Sequence, residues 1–555
     1  MLTAIDTPTR EVRSLDGLWR FAVDRDNDGV ERRLFADTLP GTREVAVPAS
    51  VNDLFADENV RNHVGYWFYQ RTVRVPRGWD GEQILVRFGS ATHHAIVWAG
   101  DVEVGRHSGG YLPFEVDVTD HVTAGEEFRL TVAVDNRLDK TCIPPGWVTQ
   151  TPDGRRQQHY LHDFYNYTGL HRSVELVARP RRHVEDVTVT TELDGTVTWD
   201  VTAPEGLTVS IAVVDKQTGE TVARGEGARG SATIDNPTLW TPGVGGMYDL
   251  EITLRDDAAV VDVYLQPFGV RTVRVDGHRL LINDKPFYFT GFGMHEDHET
   301  LGKGHSDAHM IQDFELLSWI GANSLRTSHY PYSEEWMDYC DRQGIVVIDE
   351  TPAVGLNWMM AGGILDSGGG ETYEEGHVDD RTQATHKDEI RRLVADTQSG
   401  YDRDCAGWAV LSILTERVAT AIGLECRAMG VDVDYAPVCD LLTDPSSPTL
   451  SLRCFGADPD RVAVHAAAFT RGLAAAGVAA CAKHFPGHGD TDLDSHLALP
   501  RVRHERARLD AVELAPFREA LGAMPAVMTA HVLFDALDPD IPATMSARTL
   551  TGLLR

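Results

Sequence analysis

The sequence predicts a multidomain β plus α/β chain, with two β-sandwiches in series followed by parallel β/α units. Three observations carry this. Short runs alternate apolar and polar residues through the first half with no helical period between them, the rhythm turns to strand and helix near residue 275, and alanine becomes abundant after about 400. At 555 residues the chain is several domains long, since an ordinary domain takes roughly 150 and a barrel about 250.

From the start to about 180, Phe128-Arg-Leu-Thr-Val-Ala-Val134 is apolar at every even position, the pattern of a half-buried strand, and Val73-Arg-Val75 belongs to another. A second such block covers 181–273. There Asp194-Gly195 predicts a hairpin turn before Val197, Trp199 and Val201, while Leu207, Val209, Ile211 and Val213 alternate, as do Leu250, Ile252 and Leu254. Past 275, Phe287–Gly291 predicts a buried strand. Ser306 then caps a helix with Met310, Phe314 and Leu317 on one face, ended by Gly321. The strand Asn323–Arg326, a helix Ser333–Gln343 closed by Gly344 and the strand Ile345–Ile348 complete βαβαβ, a parallel sheet either open or closed into a barrel. Further on, helices are expected at about Thr415–Met429, Asp458–Ala476 and 505–522, each leading into a strand: Val431–Val438, Val478–Ala482 and Ala526–Ala530. The stretch Asp396–Ala409 fits neither side.

The net charge is −33 and the pI near 5.0. Such a surface repels phosphate backbones and anionic lipid, so neither nucleic acid nor membrane is an expected partner. No stretch approaches the roughly 20 apolar residues of a membrane span and the start carries no apolar signal core, so the expected location is cytoplasmic. Seven cysteines, Cys142, Cys340, Cys405, Cys426, Cys439, Cys454 and Cys481, are odd in number without C-x-x-C spacing, which predicts reduced, mostly buried thiols.

In parallel α/β sheets ligands sit at the carboxyl ends of strands. Four polar clusters fall there: His295-Glu296-Asp297, Arg326-Thr-Ser-His329-Tyr330, Asp349-Glu350, and Lys483-His484 followed by His488, Asp490, Asp494 and His496. Any one alone is an ordinary strand-end cap; four in register point to a site. The segment KHFPGHGDTDLDSH also admits reading as a metal site, but it lacks a helical H-x-x-x-H spacing, and His295/His298 and His305/His309 are accounted for by a loop and a helix start. No metal and no cofactor is therefore expected. Asp163, in His162-Asp-Phe-Tyr-Asn-Tyr167, is either a sugar contact among aromatic faces or a capping residue of a core strand.

These residues carry two resemblances. SLDGLWRF, HDFYNYTGLHRSVEL, NPTLWTPG, FGVRTVRV, FYFTGFGMHEDHETLGKG, the run from Trp319 to Asn357, and THKDEIRRLVA resemble the β-glucuronidases of glycoside hydrolase family 2 over residues 1 to about 395. This implies a jelly-roll sugar-binding domain (1–180), an immunoglobulin-like sandwich (181–273) and the first part of a (β/α)8 barrel (274–395). After a junction at 396–411, residues 412–555 resemble a glycoside hydrolase family 3 barrel of the β-N-acetylhexosaminidase and β-glucosidase type, through SLRCFGADPDRV, AKHFPGHGDTDLDSHLALP and AVMTAHVLFDALDPDIPATMS. The barrel is thus expected to be incomplete or hybrid.

The implied function is hydrolysis of β-linked glucuronides or hexosides, with a small carbohydrate as partner and the number of assembled copies left open. By the first resemblance and by strand-end position, Asp163, His295, Arg326, His329, Asp349 and Glu350 line the substrate site. By the second, Arg453, Lys483 and His484 hold the sugar, Asp440 supports them, and His496 oriented by Asp494 serves as acid/base, a neighbouring carboxylate fixing the imidazole tautomer. Retaining glycosidases need two carboxyl groups about 5–5.5 Å apart. The family 2 pattern puts its acid/base in an Asn-Glu pair ending strand four and its nucleophile on strand seven, and the resemblance stops before both. The family 3 nucleophilic Asp is expected beyond LTGLLR. Glu416 ends an apolar run where strand four belongs, but Thr415 stands in place of Asn, and a helix N-terminus capped by Thr415 explains the same residues. The reading is a glycoside hydrolase with an incomplete catalytic site; the alternatives are a family 3-like hexosaminidase and a non-catalytic carbohydrate-binding chimera.

Overall fold

The computed structural model describes residues 1–555 except 42, 153, 161, 163, 277–278, 353–379, 397–414, 417, 421, 425, 428–431, 444–453, 492–498, 521–523 and 555. The chain forms two compact units, Met1–Thr272 with Tyr288–Asp402 and Val273–Phe287 with Arg403–Arg555.

In the first unit the N-terminal sandwich pairs a four-stranded sheet, Glu11–Ser14, Val174–Arg179, Gln83–Phe88 and Phe114–Asp117, with a six-stranded one. The latter runs Glu44–Val47, Gly17–Val23, Tyr66–Arg74, Glu127–Asp135, His94–Ala99 and Val102–Ser108. Both are antiparallel and enclose a core built on Trp19, Phe21, Trp67, Val86, Val97, Val132 and Leu176. The strand Glu127–Asp135 departs from expectation: both its faces are buried from Leu130 onward. The reason is a second cluster, in which Phe35, Phe68, Ile96 and Trp98 pack around Ala133 on the outer side of the sheet.

The next sandwich joins Asp186–Thr191, Thr196–Thr202 and Arg229–Thr233 to a sheet of Thr221–Glu226, Thr208–Asp215, Met247–Asp256 and Ala259–Gly269. Val197, Trp199 and Val201 point inward against Ile211, Val213, Leu250, Ile252 and Leu254, as the two-residue period requires. The two sandwiches are tied by one buried ion pair. Arg10 grips Asp262 with both ends of its guanidinium, Nε to Oδ1 at 3.0 Å and Nη2 to Oδ2 at 2.6 Å. Val184 N–H and the Thr9 hydroxyl donate to the same carboxylate.

The parallel portion of this unit holds three strands, Gly291–Met294, Ser324–Thr327 and Val346–Ile348, in sequential order. Two helices connect them. Asp307–Trp319 follows Ser306 and buries Met310, Phe314 and Leu317; Glu334–Gln343 begins where the Ser333 hydroxyl accepts the Trp336 N–H and ends at Gly344. The expected strand Phe287–Gly291 is a correction. Lys285–Phe287 closes an antiparallel meander with Val273–Asp276 and Arg279–Ile282, and the parallel strand starts at Gly291. Between them the Asn323 side chain takes over the ladder's work, accepting from Thr290 N–H and donating to the Tyr288 carbonyl, both at 2.8 Å.

The second unit carries another three-stranded parallel sheet, Val433–Asp434, Ala479–Phe485 and Ala526–Thr529, and a parallel pair, Arg501–Val502 with Leu533–Phe534. Helix Pro459–Ala475 is capped by the Asp458 carboxylate on Arg461 N–H. The helix expected over 505–522 is two, Arg506–Ala511 and Ala515–Ala520, broken where Leu514 N–H bonds back to the Leu509 carbonyl.

Removing one half of a buried pair strands the other charge in the interior. Arg10→Met is expected to cost about 3–5 kcal/mol, and Asp262→Leu in the same background to recover most of it; urea unfolding followed by tryptophan fluorescence measures both.

Candidate active site

The second parallel strand delivers Arg326, Ser328, His329 and Tyr330 to its carboxyl end, and the third delivers Asp349 and Glu350 beside them. Thr327 welds the two ends: its hydroxyl donates to Asp349 Oδ1 at 2.8 Å and accepts the Glu350 N–H at 2.9 Å. Glu350 is then held from two sides, Oε1 lying 3.0 Å from Arg326 Nη1 and Oε2 accepting from His329 Nδ1 at 2.9 Å. Because a carboxylate only accepts, the His329 proton sits on Nδ1. The first strand contributes His295, whose ring lies 5.6 Å from His329 and 6.3 Å from Phe164. This close approach needs Gly293, where a Cβ would stand 2.5 Å from Ser328 Oγ and 3.0 Å from Arg326 Nη2.

Five of the residues expected in this cradle, His295, Arg326, His329, Asp349 and Glu350, are thus brought to one place; Asp163 lies outside the described residues. Burial pushes the Asp349 carboxyl up to about 6. Its Oδ2, Ser328 Oγ and the Tyr330 hydroxyl are buried with no hydrogen-bond partner among the described residues. Unsatisfied polar atoms grouped at strand ends are what a polyhydroxylated ligand would satisfy.

The residues that build the wall were not singled out by the sequence. Lys303 is 3% exposed, with Nζ 3.3 Å above the Tyr330 ring and 4.8 Å from those of Tyr111 and Phe164. Burial lowers its ammonium to about 7. Arg172 donates to the Pro331 carbonyl at 2.6 Å and pairs with Glu296 at 3.4 Å, both side chains buried. Lys303 reads in sequence as an ordinary loop cation within LGKGH. The only signal was its place in the stretch that carries the family 2 resemblance.

In the second unit Asp440, fully buried, organises a second polar group. Its Oδ2 accepts from the backbone and from Nδ1 of His484, at 3.0 and 2.7 Å, and its Oδ1 accepts His488 N–H at 2.7 Å. Lys483 precedes His484 on the same strand, Ala479–Phe485. Arg453, Asp494 and His496 lie outside the described residues. Glu416 is helical, not at a strand end, and its Oε2 accepts from Arg471 Nε at 2.9 Å.

Two antiparallel sandwiches are followed by parallel β/α units, with carboxylates, imidazoles and a guanidinium gathered at the strand ends, where β/α enzymes bind their ligands. Family models make this specific. "Glycosyl hydrolases family 2, sugar binding domain" matches residues 12–180, "Glycosyl hydrolases family 2" matches 173–271 and "Glycosyl hydrolases family 2, TIM barrel domain" matches 273–399. "Glycosyl hydrolase family 3 N terminal domain" matches 402–555. A beta-glucuronidase of Paenibacillus borealis is 41% identical over 406 residues, covering 71% of this chain and 67% of that one. The beta-glucuronidase of Rattus norvegicus is 40% identical over 383 residues, 64% of this chain, which spans only 59% of the rat enzyme. Among solved structures, Ruminococcus gnavus beta-glucuronidase in complex with D-glucuronic acid superposes with a TM-score of 0.66 at 33% identity, covering 72% of this chain and 66% of that one. The chain belongs to glycosyl hydrolase family 2, and its residues 402–555 match the family 3 N-terminal domain model.

A carboxyl group raised by burial is more protonated in the folded state than in the unfolded one, whose Asp titrates near 3.9. Asp349 therefore costs stability as pH rises from about 4 through 6. Between pH 4 and pH 7.5, Asp349→Asn is expected to gain about 1–3 kcal/mol on the wild type, a shift that thermal melts at the two pH values will show.

Proposed function

We propose that this chain is a β-glucuronidase-like glycoside hydrolase scaffold that binds β-linked glucuronides or hexosides and lacks a complete catalytic couple. The observation that carries the binding half is the strand-end group: Glu350 clamped by Arg326 and His329, beside the unpartnered polar atoms of Ser328, Tyr330 and Asp349. Arg326 keeps nearly half its side chain open to solvent, positioned for a carboxylate or hydroxyl. The incompleteness is supported by the change of family: the family 2 barrel match stops at 399 and the family 3 match starts at 402, ahead of the strands that bear the family 2 acid/base and nucleophile. The site residues, Asp163 included, and the domain limits 1–180, 181–273, 274–395 and 412–555 are part of this proposal. So is cytoplasmic residence, which the thiols support, since Cys142, Cys340, Cys426, Cys439 and Cys481 form no disulfide. Among the described residues no helix is long and apolar enough to cross a membrane.

A second reading, hydrolysis by the family 3 segment through His496 and Asp494, draws on the grip of Asp440 on His484 and His488. One pair of substrates separates the two. The purified chain is expected to hydrolyse neither an aryl β-glucuronide nor an aryl N-acetyl-β-glucosaminide above the buffer blank, while calorimetry detects glucuronate binding that Arg326→Ala weakens at least ten-fold. Robust turnover of the glucuronide overturns the missing couple. Turnover of the glucosaminide alone, abolished in His496→Ala, establishes the second reading instead.

A further inference from the structure

Three residues that neither reading uses converge in the second unit. Asp490 comes from the loop after the strand Ala479–Phe485, His504 from the turn ahead of helix Arg506–Ala511, and Glu513 from the break between that helix and Ala515–Ala520. One ligand atom of each lies within 4.8 Å of the other two. His504 Nε2 contacts Asp490 Oδ2 directly. Ordinary ion pairs explain that contact and the approach of Arg508 to Glu513 Oε1, but not the second oxygen of Glu513. This carboxylate is 5% exposed, and its Oε2 has no hydrogen-bond partner among the described residues.

A buried carboxylate oxygen without a partner is expensive, and a bound cation is the partner that offsets most of the cost. The cation beside it now is Arg508, whose Nη2 lies 3.1 Å from Glu513 Oε1 and 3.8 Å from Asp490 Oδ2. Its side chain is 40% exposed, so the guanidinium can withdraw to solvent. The loop is shaped to reach Glu513: at Gly487, with φ of +139°, a Cβ would sit 3.1 Å from the Glu513 Cβ.

We propose that Asp490, His504 and Glu513 bind one divalent transition-metal ion, Zn²⁺ by preference, in exchange for Arg508. Two carboxylates and one imidazole are three protein ligands of the hard-to-borderline kind that Zn²⁺ accepts, with water completing the tetrahedron. Ca²⁺ is disfavoured because it takes six to eight oxygen ligands. The ion pins the loop that follows Lys483 and His484 to the corner of two helices.

The test uses the full chain, stripped with EDTA and titrated with ZnCl2 by calorimetry, with bound metal counted by mass spectrometry. The chain has 23 histidines, so weak surface binding is expected and the difference between variants is the readout. One tight Zn²⁺ per chain is expected, weakened at least ten-fold in Asp490→Asn and in Glu513→Gln. Arg508→Gln is expected to bind several-fold tighter, because the competing cation is gone while all three ligands stay; it keeps the test decisive if a ligand variant misfolds. Equal affinity in wild type and ligand variants, weaker binding in Arg508→Gln, or sulfur in the zinc shell by X-ray absorption overturns the site.

Discussion

A parallel β/α sheet is stable when each strand is paired along its edges and covered on its faces, and eight such strands remove the edges by closing on themselves. This chain offers two three-stranded parallel sheets, one in each compact unit. The first unit carries exposed apolar side chains around its sheet. The opening strand Gly291–Met294 is exposed at three of its four positions, and Phe292 is 58% open. On the helix that follows, Leu316, Trp319 and Ile320 line one stripe facing solvent, Trp319 at 83%.

The N-terminal sandwich braces the strand ends of the first unit. Arg172 from that sandwich reaches Pro331 and Glu296, the Ser50 hydroxyl accepts Lys303 N–H, and the His171 carbonyl accepts His305 N–H. Lys303 stands over Tyr111 and Phe164 from the sandwich and Tyr330 from the second strand. Desolvated charges of this kind are costly unless met: the Arg172 guanidinium meets the Glu296 carboxylate, and the Lys303 ammonium meets aromatic faces. The cradle therefore keeps its shape because it is braced from outside the sheet.

Periodicity made most of the fold legible. The alternating runs around Trp199 and Leu250 and the face Met310, Phe314 and Leu317 bury as their spacing requires. It failed where a side chain replaced a backbone partner, as Asn323 does between Tyr288 and Thr290, and where a second cluster covered the outer face of Glu127–Asp135. Of the cradle, the strand-end polar residues were readable because position along a parallel strand predicts exposure to ligand. Lys303 and Arg172 were not: a cation in a glycine-bounded loop looks solvated until the fold buries it. Asp490 was legible within KHFPGHGDTDLDSH, but His504 and Glu513 lie on other elements, so no local spacing joins them to it.

The account predicts that the two compact units of the chain unfold independently. Differential scanning calorimetry of the intact chain addresses it directly. Two resolved endotherms are expected, with hydrogen exchange assigning one of them to peptides within 459–534. A single two-state transition, its calorimetric and van't Hoff enthalpies equal, contradicts the account.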